Sequence, residues 1–296
     1  MTVVLTGGSS GFGALAARRI GEAAPLLLGA RRPSRDEVPL DLASLDSVRD
    51  FAARVTRQTA PGGIAALVFN AGSIASDAAG RTVDGFETSF AVNYLGHYLL
   101  LRLLLPRLAP GAVLVWTSSG AHDPETGAGL VPPRHAEVNL LAHPDRDPHL
   151  EPAAAKAGQH AYTAAKLCVV LAVRGLAVQP AAQAAGLVGI AYDPGQVFGT
   201  GLARNLSAPM RLAWSVLGSP AGAPIRRFNP TLNGQDAAGL ALADLALART
   251  RPPSGRYYAA LRRGRLGWID PSELARDPAA AVAVWQHSGQ LLDLPH

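Results

Sequence analysis

One cysteine, two lysines and two methionines in 296 residues set the first limits on this chain. A lone Cys168 excludes an internal disulfide and a multi-cysteine zinc site, and no metal centre is expected. Long apolar runs are missing too. The segment 98–105 carries an arginine and is far too short to span a bilayer. The opening run 2–6 lacks the charged start and long apolar stretch of a signal peptide, so a cytoplasmic protein without a membrane span is expected. The formal charge is +5, with 25 arginines against only Lys156 and Lys166. A basic balance can serve nucleic acid or a membrane surface. These arginines are scattered, with no aromatic-interleaved stripe, and no nucleic-acid partner is expected. Where arginine serves as the general cation, a lysine marks a place where arginine would not do.

Hydrophobic runs alternate with helical patterns from the start. Strands are expected at 2–6, 26–30, 38–42, 64–69, 112–117, 187–192 and 257–261, with helices at 15–21 and 45–58 and a long helix between the fourth and fifth strands. Strands that are apolar throughout, rather than alternating, suit a parallel sheet covered on both faces. The alternation implies right-handed crossovers and a doubly wound α/β sheet of about seven strands, in the order 3-2-1-4-5-6-7. The whole chain, 1–296, reads as a single Rossmann-type domain. Two irregular segments, 121–159 and 199–233, interrupt the rhythm and are expected to form a substrate pocket or lid. Asp270-Pro271 and Asp277-Pro278 read as helix starts, the second leading a C-terminal helical cap through Trp285.

Directly after the first strand comes Thr6-Gly7-Gly8-Ser9-Ser10-Gly11-Phe12-Gly13. Glycines between a strand and a helix permit a tight turn and let backbone amides approach a pyrophosphate at the positive end of the helix dipole. A site for NAD would place Asp or Glu at the end of the second strand, on the ribose 2′-hydroxyl. That strand instead ends Ala30-Arg31-Arg32. Forked guanidinium donors match a 2′-phosphate, so NADP(H) is the expected cofactor. Asp41 and Leu42, ending the third strand, are placed at the adenine edge.

Beyond the first irregular segment lies Tyr162-Thr-Ala-Ala-Lys166, near the expected start of a helix. The i,i+4 spacing puts both side chains on one face. An ammonium beside a phenol lowers its pKa from about 10 and makes it a usable acid or base.

At this point the chain resembles the short-chain dehydrogenase/reductases over most of its length. Thr6 to Gly13 is similar to the family's TGxxxGxG, and Asn70-Ala71-Gly72 to its NAG motif. Asn93 falls at the helix asparagine and Ser119 at the catalytic serine, with Ser118 before it. Tyr162 and Lys166 complete a tetrad, and Pro194-Gly195 is similar to the PG after the sixth strand, followed by Val197 and Thr200 near the nicotinamide. The resemblance implies hydride transfer between NADPH and a carbonyl carbon. It implies that Tyr162 gives the proton, Ser119 holds the oxygen, Lys166 binds the nicotinamide ribose, and Asn93 holds a water leading to solvent.

Within the family, the segments 41–45, 84–87 and 93–97 are similar to the retinol dehydrogenases. Those at 130–134 and 194–202 are similar to light-dependent protochlorophyllide reductases. Phe12 replaces the usual Ile or Leu, Phe69 stands where many members have Asn, and Thr200 is one place later than the common threonine. Cys168 lies past Lys166 and is expected to be a small buried residue, with no loop cysteine to donate a proton. His122, Met210 and Trp214 are candidates to touch a bulky, lipophilic ketone, aldehyde or alcohol, and His97 is expected to be structural. Reduction of a conjugated C=C bond is the rival chemistry, and a non-catalytic NADP-binding regulator the rival of another class. A homodimer is compatible with either.

Overall fold

A computed structural model describes residues 1–198 and 229–295. The chain begins with β1 (Thr2–Thr6), α1 (Gly11–Gly21), β2 (Leu26–Ala30), β3 (Glu37–Pro39), α2 (Leu45–Gln58) and β4 (Ile64–Phe69). A composite helix follows: α3 (Thr88–Phe90), a π turn (Ala91–Leu95) and α4 (Gly96–Leu104). Then come β5 (Leu108–Thr117), α5 (Val138–Ala142), α6 (Ala154–Ala177), α7 (Pro180–Ala184), β6 (Val188–Asp193) and β7 (Gln196–Val197). The remainder is β8 (Leu232–Asn233), α8 (Gln235–Ala246), β9 (Tyr258–Arg262), β10 (Arg265–Trp268), α9 (Glu273–Arg276) and α10 (Pro278–Leu291).

Among the described residues eight strands form the main sheet, in the order β10-β9-β6-β5-β4-β1-β2-β3. All neighbours are parallel except β9 and β10. The expected order is thus present, with an antiparallel eighth strand added at the edge. That strand hides in sequence because Arg263-Gly264 is only a tight reversal, with both residues at positive φ.

Both faces of the sheet are covered. One core cluster joins Val4, Leu67 and Leu114 to α2, α4 and α6. The other joins Val3, Val68 and Val115 to α1 and α8. Consecutive strand residues enter opposite cores, which is why every strand position is apolar. In α2, Val48, Phe51, Ala52 and Val55 face the sheet, and Ser44 caps the first turn by accepting from the Ser47 amide at 3.3 Å. Such a cap is worth about 1 kcal/mol. The cap helix α10 starts at Pro278 with Asp277 accepting from the Ala279 amide, and it lies on α6. Trp285 packs edge-on to Tyr98, whose hydroxyl donates to the Trp285 carbonyl at 2.7 Å.

Some boundaries differ from expectation. The third strand is Glu37–Pro39, ending before Asp41. The fifth begins earlier, at Leu108. Asp270-Pro271 starts no helix: Ser272 caps α9, accepting from the Ala275 amide. The helix α6 begins at Ala154, so Tyr162 sits two turns inside it and the first irregular segment is shorter than expected. Ala153 to Ala157 carries strong helix formers and no breaker, and its run of alanines shows no apolar–polar period to mark a helix. The second irregular segment lies mostly outside the described residues, as do Thr200, Met210 and Trp214. Among the described residues no helix is long and apolar enough to cross a membrane.

Candidate active site

The strand ends β1, β2, β4, β5 and β6 open on one cleft of about 490 Å³. Its first wall is the glycine turn: Gly7, Ser9, Ser10, Gly11, Phe12 and Gly13 all line it. A Cβ on Gly13 would collide with the Gly7 carbonyl oxygen, so the turn can close only with glycine there. Ser10 is the N-cap residue of α1 yet makes no side-chain cap, and no acid stands in the first turn. The amides at that helix end are therefore available to an anion, with the dipole favouring negative charge. This cradle fits a dinucleotide pyrophosphate.

At the far side lie Arg31, Asp41 and Leu42. Arg31 follows the last residue of β2 and is exposed. Asp41 has one carboxylate oxygen committed to the Ala43 amide at 3.0 Å. Arg32 is also exposed but is not part of the cleft wall.

Asn70, Ala71 and Gly72 form the floor. Asn70 donates to the Gly7 carbonyl at 3.0 Å and accepts from the Thr117 hydroxyl at 3.0 Å, tying β1, β4 and β5 together. Thr6 accepts from the Asn70 and Ala71 amides at 3.1 and 3.2 Å. Its one hydroxyl proton is left for His97 Nε2, 2.8 Å away. Burial first, and then the nearby Lys166 charge, push His97 down to about 3, so it is a neutral acceptor. Its ring stacks on Phe69 at 4.9 Å, and Phe69 meets Trp116 edge-on. That cluster gives Phe69 a packing role.

The reacting end is formed by β5, α6 and the π turn. Ser119, Tyr162 and Lys166 all line the cleft. Ser119 follows β5, accepts from the Ala121 amide at 3.2 Å, and hydrogen-bonds the Tyr162 phenol. Ser118 also lines the cleft, and its hydroxyl donates to the Lys166 carbonyl at 2.9 Å. Tyr162 and Lys166 are only 5% and 4% exposed. Burial pushes the Tyr162 phenol up to about 12; the Ser119 bond opposes this and the Asp193 charge adds to it. Burial pushes Lys166 down to about 7. The expected depression of the tyrosine by the lysine is therefore not what this cleft produces. Lys166 Nζ donates to the Thr117 carbonyl at 2.9 Å and lies 5.7 Å from the centre of the phenol ring.

Asn93 sits in the π turn, an irregularity frequent at functional sites. Its amide donates to the Ser73 and Ser89 carbonyls, both at 2.7 Å, and its oxygen accepts from the Ser73 amide at 3.3 Å. A Cβ on Gly72 would lie 2.6 Å from that oxygen and 3.5 Å from Lys166 Nζ, so Gly72 is what brings Asn93 and Lys166 together. Pro194, Gly195 and Val197 close the cleft from β6.

His122 is placed differently from a substrate contact. It is fully buried, with Nδ1 2.7 Å from the Ser119 carbonyl and Nε2 accepting from the Ser272 amide at 3.4 Å. A carbonyl only accepts, so the proton is on Nδ1 and the ring is neutral, in line with its burial-lowered pKa. It anchors Ser119 to the cap loop. Cys168 is buried in α6, and burial pushes its thiol up.

Sequence reasoning missed Asp193, fully buried, which pairs with Arg262 at 2.8 Å. The available signal was a lone charge at the end of an otherwise apolar strand. It also passed over Ser73, Thr88 and Val92, which line the cleft beside Asn93.

Comparison with known proteins identifies the family. The family model "short chain dehydrogenase" matches residues 1–129. Protochlorophyllide reductase B of Oryza sativa subsp. japonica is 30% identical, aligned over 99% of this chain and 77% of its own. Dehydrogenase/reductase SDR family member 13 of Bos taurus is 31% identical over 99% and 73%. An uncharacterized protein from Mycobacterium Paratuberculosis superposes with a TM-score of 0.66 at 27% identity, covering 99% of this chain and 93% of that one. With a glycine-lined dinucleotide cleft ending on Ser119, Tyr162 and Lys166, and with these relatives, the chain belongs to the short-chain dehydrogenase/reductase family of NAD(P)(H) oxidoreductases.

Proposed function

We propose that this chain is an NADP(H)-dependent reductase of ketones or aldehydes, or a dehydrogenase of the corresponding secondary alcohols, acting on a bulky lipophilic substrate. The observation that carries the reading is the meeting of Ser119, Tyr162 and Lys166 at one end of the glycine-lined cleft. When bound, the nicotinamide supplies the hydride. The chain's own residues handle the oxygen and the proton. Ser119 hydrogen-bonds the carbonyl oxygen, and Tyr162, protonated across the physiological range, donates to it. Lys166, as the ammonium, stabilises the phenolate that Tyr162 becomes. Asn93, packed beside it through Gly72, sets the route to solvent for that proton.

NADP rather than NAD is supported by Arg31 on the cleft wall just past the end of β2, where no carboxylate stands. The second reading is reduction of a conjugated C=C bond, favoured by the likeness to protochlorophyllide reductases. One screen tests both. Purified protein is offered a panel of ketones, aldehydes and enones, with NADPH and NADH in parallel, and products are identified by mass and NMR. Carbinols formed with NADPH in preference to NADH are expected. Saturated ketones would instead support the second reading, and a preference for NADH would overturn the role given to Arg31.

A further inference from the structure

Asp193 and Arg262 form an ion pair that the chemistry above does not use. Asp193 ends β6 with its side chain wholly buried; one oxygen accepts from the Gly195 amide at 2.9 Å and the other meets the Arg262 guanidinium at 2.8 Å. Arg262 ends the neighbouring strand β9, with a quarter of its side chain still exposed, and it also donates to the Leu261 carbonyl at 3.0 Å. Two charges taken out of water lose hydration that their attraction repays poorly, so such a pair is a weak stabiliser. Apolar side chains would join β6 to β9 equally well. The value of the pair lies in what it faces.

It faces a small recess of about 30 Å³, whose walls include Ser119, Gly195, Gln196 and Thr231. Ser119 and Gly195 also line the main cleft, so the recess adjoins the position of the reacting carbonyl. Its volume holds one water-sized group. The exposed part of the guanidinium offers donors, and the wholly buried carboxylate behind it cancels the charge. An anionic group there would meet Asp193 and a cationic one Arg262. An uncharged oxygen that accepts from Arg262 is the group that suits this balance of charge.

We propose that the Asp193–Arg262 recess is a specificity site that takes a second, uncharged oxygen of the substrate, a hydroxyl or oxo group carried near the reacting carbonyl. The proposal rests on the carbonyl reading of the site and narrows its substrate class to oxygenated ketones on a lipophilic skeleton.

Deoxybenzoin and benzoin test it, because they share one bulky skeleton and differ only in the hydroxyl beside the ketone. With NADPH and the full chain, kcat/KM for benzoin exceeds that for deoxybenzoin by about tenfold or more, as one charge-assisted hydrogen bond implies. In the charge-neutral variant Asp193→Asn/Arg262→Met that ratio collapses to within about threefold, through KM. Arg262→Gln, which keeps one donor, gives an intermediate ratio and serves if the double variant does not fold. A general structural role would lower both rates alike and leave the ratio standing, which overturns the proposal. So does a wild-type enzyme without preference. Titration of both ketones into the NADPH complex, followed by cofactor fluorescence, separates the two layers. Tighter benzoin binding that is lost in the variants, without turnover of either ketone, keeps the recess and sinks the reductase reading. Turnover of both without preference does the reverse, and equal binding without turnover sinks both.

Discussion

At the β1–α1 end of the cleft the ligand-facing groups are backbone amides, with Arg31 and Asp41 at the rim. At the β5–α6 end they are buried side chains whose ionisation has been moved by their surroundings. Gly13 and the uncapped first turn of α1 work by being absent or unoccupied: no Cβ, no capping side chain. Tyr162, Lys166 and Asp193 work by being present and desolvated. Binding at the first end thus depends on shape, on the helix dipole and on one guanidinium at the rim. Chemistry at the second depends on charge in a low-dielectric setting, where each proton matters.

The largest effect should come from breaking the backbone end. Gly13→Ala forces a methyl into the Gly7 carbonyl, and cofactor binding by calorimetry should be lost altogether. Retained binding would mean that the turn does not cradle the pyrophosphate. Next is the rim. Arg31→Ala should weaken NADPH binding by roughly 10- to 100-fold, the range for losing charge-assisted bonds to a phosphate, while NADH binding is nearly unchanged. Equal losses for both cofactors would remove the basis for choosing NADP.

A smaller, graded effect should mark the side-chain end. Lys166 has a pKa lowered to about 7, so its ammonium is present below that pH and lost above it, while Tyr162, raised to about 12, stays protonated throughout. The pH profile of kcat/KM for reduction should therefore be level below about 7 and fall above it, by up to about tenfold per unit. A rate that rises from pH 7 to 9 would contradict the role of the lysine charge.

The same contrast explains what could be read from the sequence. The glycine turn, Asn70 and the strand order are written in local patterns, since a turn after a buried strand and a run of apolar residues are features of neighbouring positions. Tyr162 and Lys166 were legible because α6 places i and i+4 on one face. Long-range pairings were not. Nothing near His122 in sequence says that Ser272, 150 positions away, occupies its second nitrogen. Nor does anything near Asp193 say that β9 brings Arg262 to it. The upward shift of the Tyr162 phenol is hidden for the same reason: spacing reveals the neighbouring lysine, whereas burial is a property of the packed α6, which lies between the sheet and α10.

The most direct measurement of the central claim is the Tyr162→Phe enzyme, assayed for NADPH-dependent turnover of the best carbonyl substrate and, on the same sample, for NADPH affinity. Removing one hydroxyl from an otherwise unchanged cleft should abolish turnover, a loss of roughly 10²- to 10⁴-fold or more for a proton donor, and leave cofactor affinity within a few-fold. Undiminished turnover would show that the proton comes from elsewhere and that the reacting end of the cleft has been misassigned.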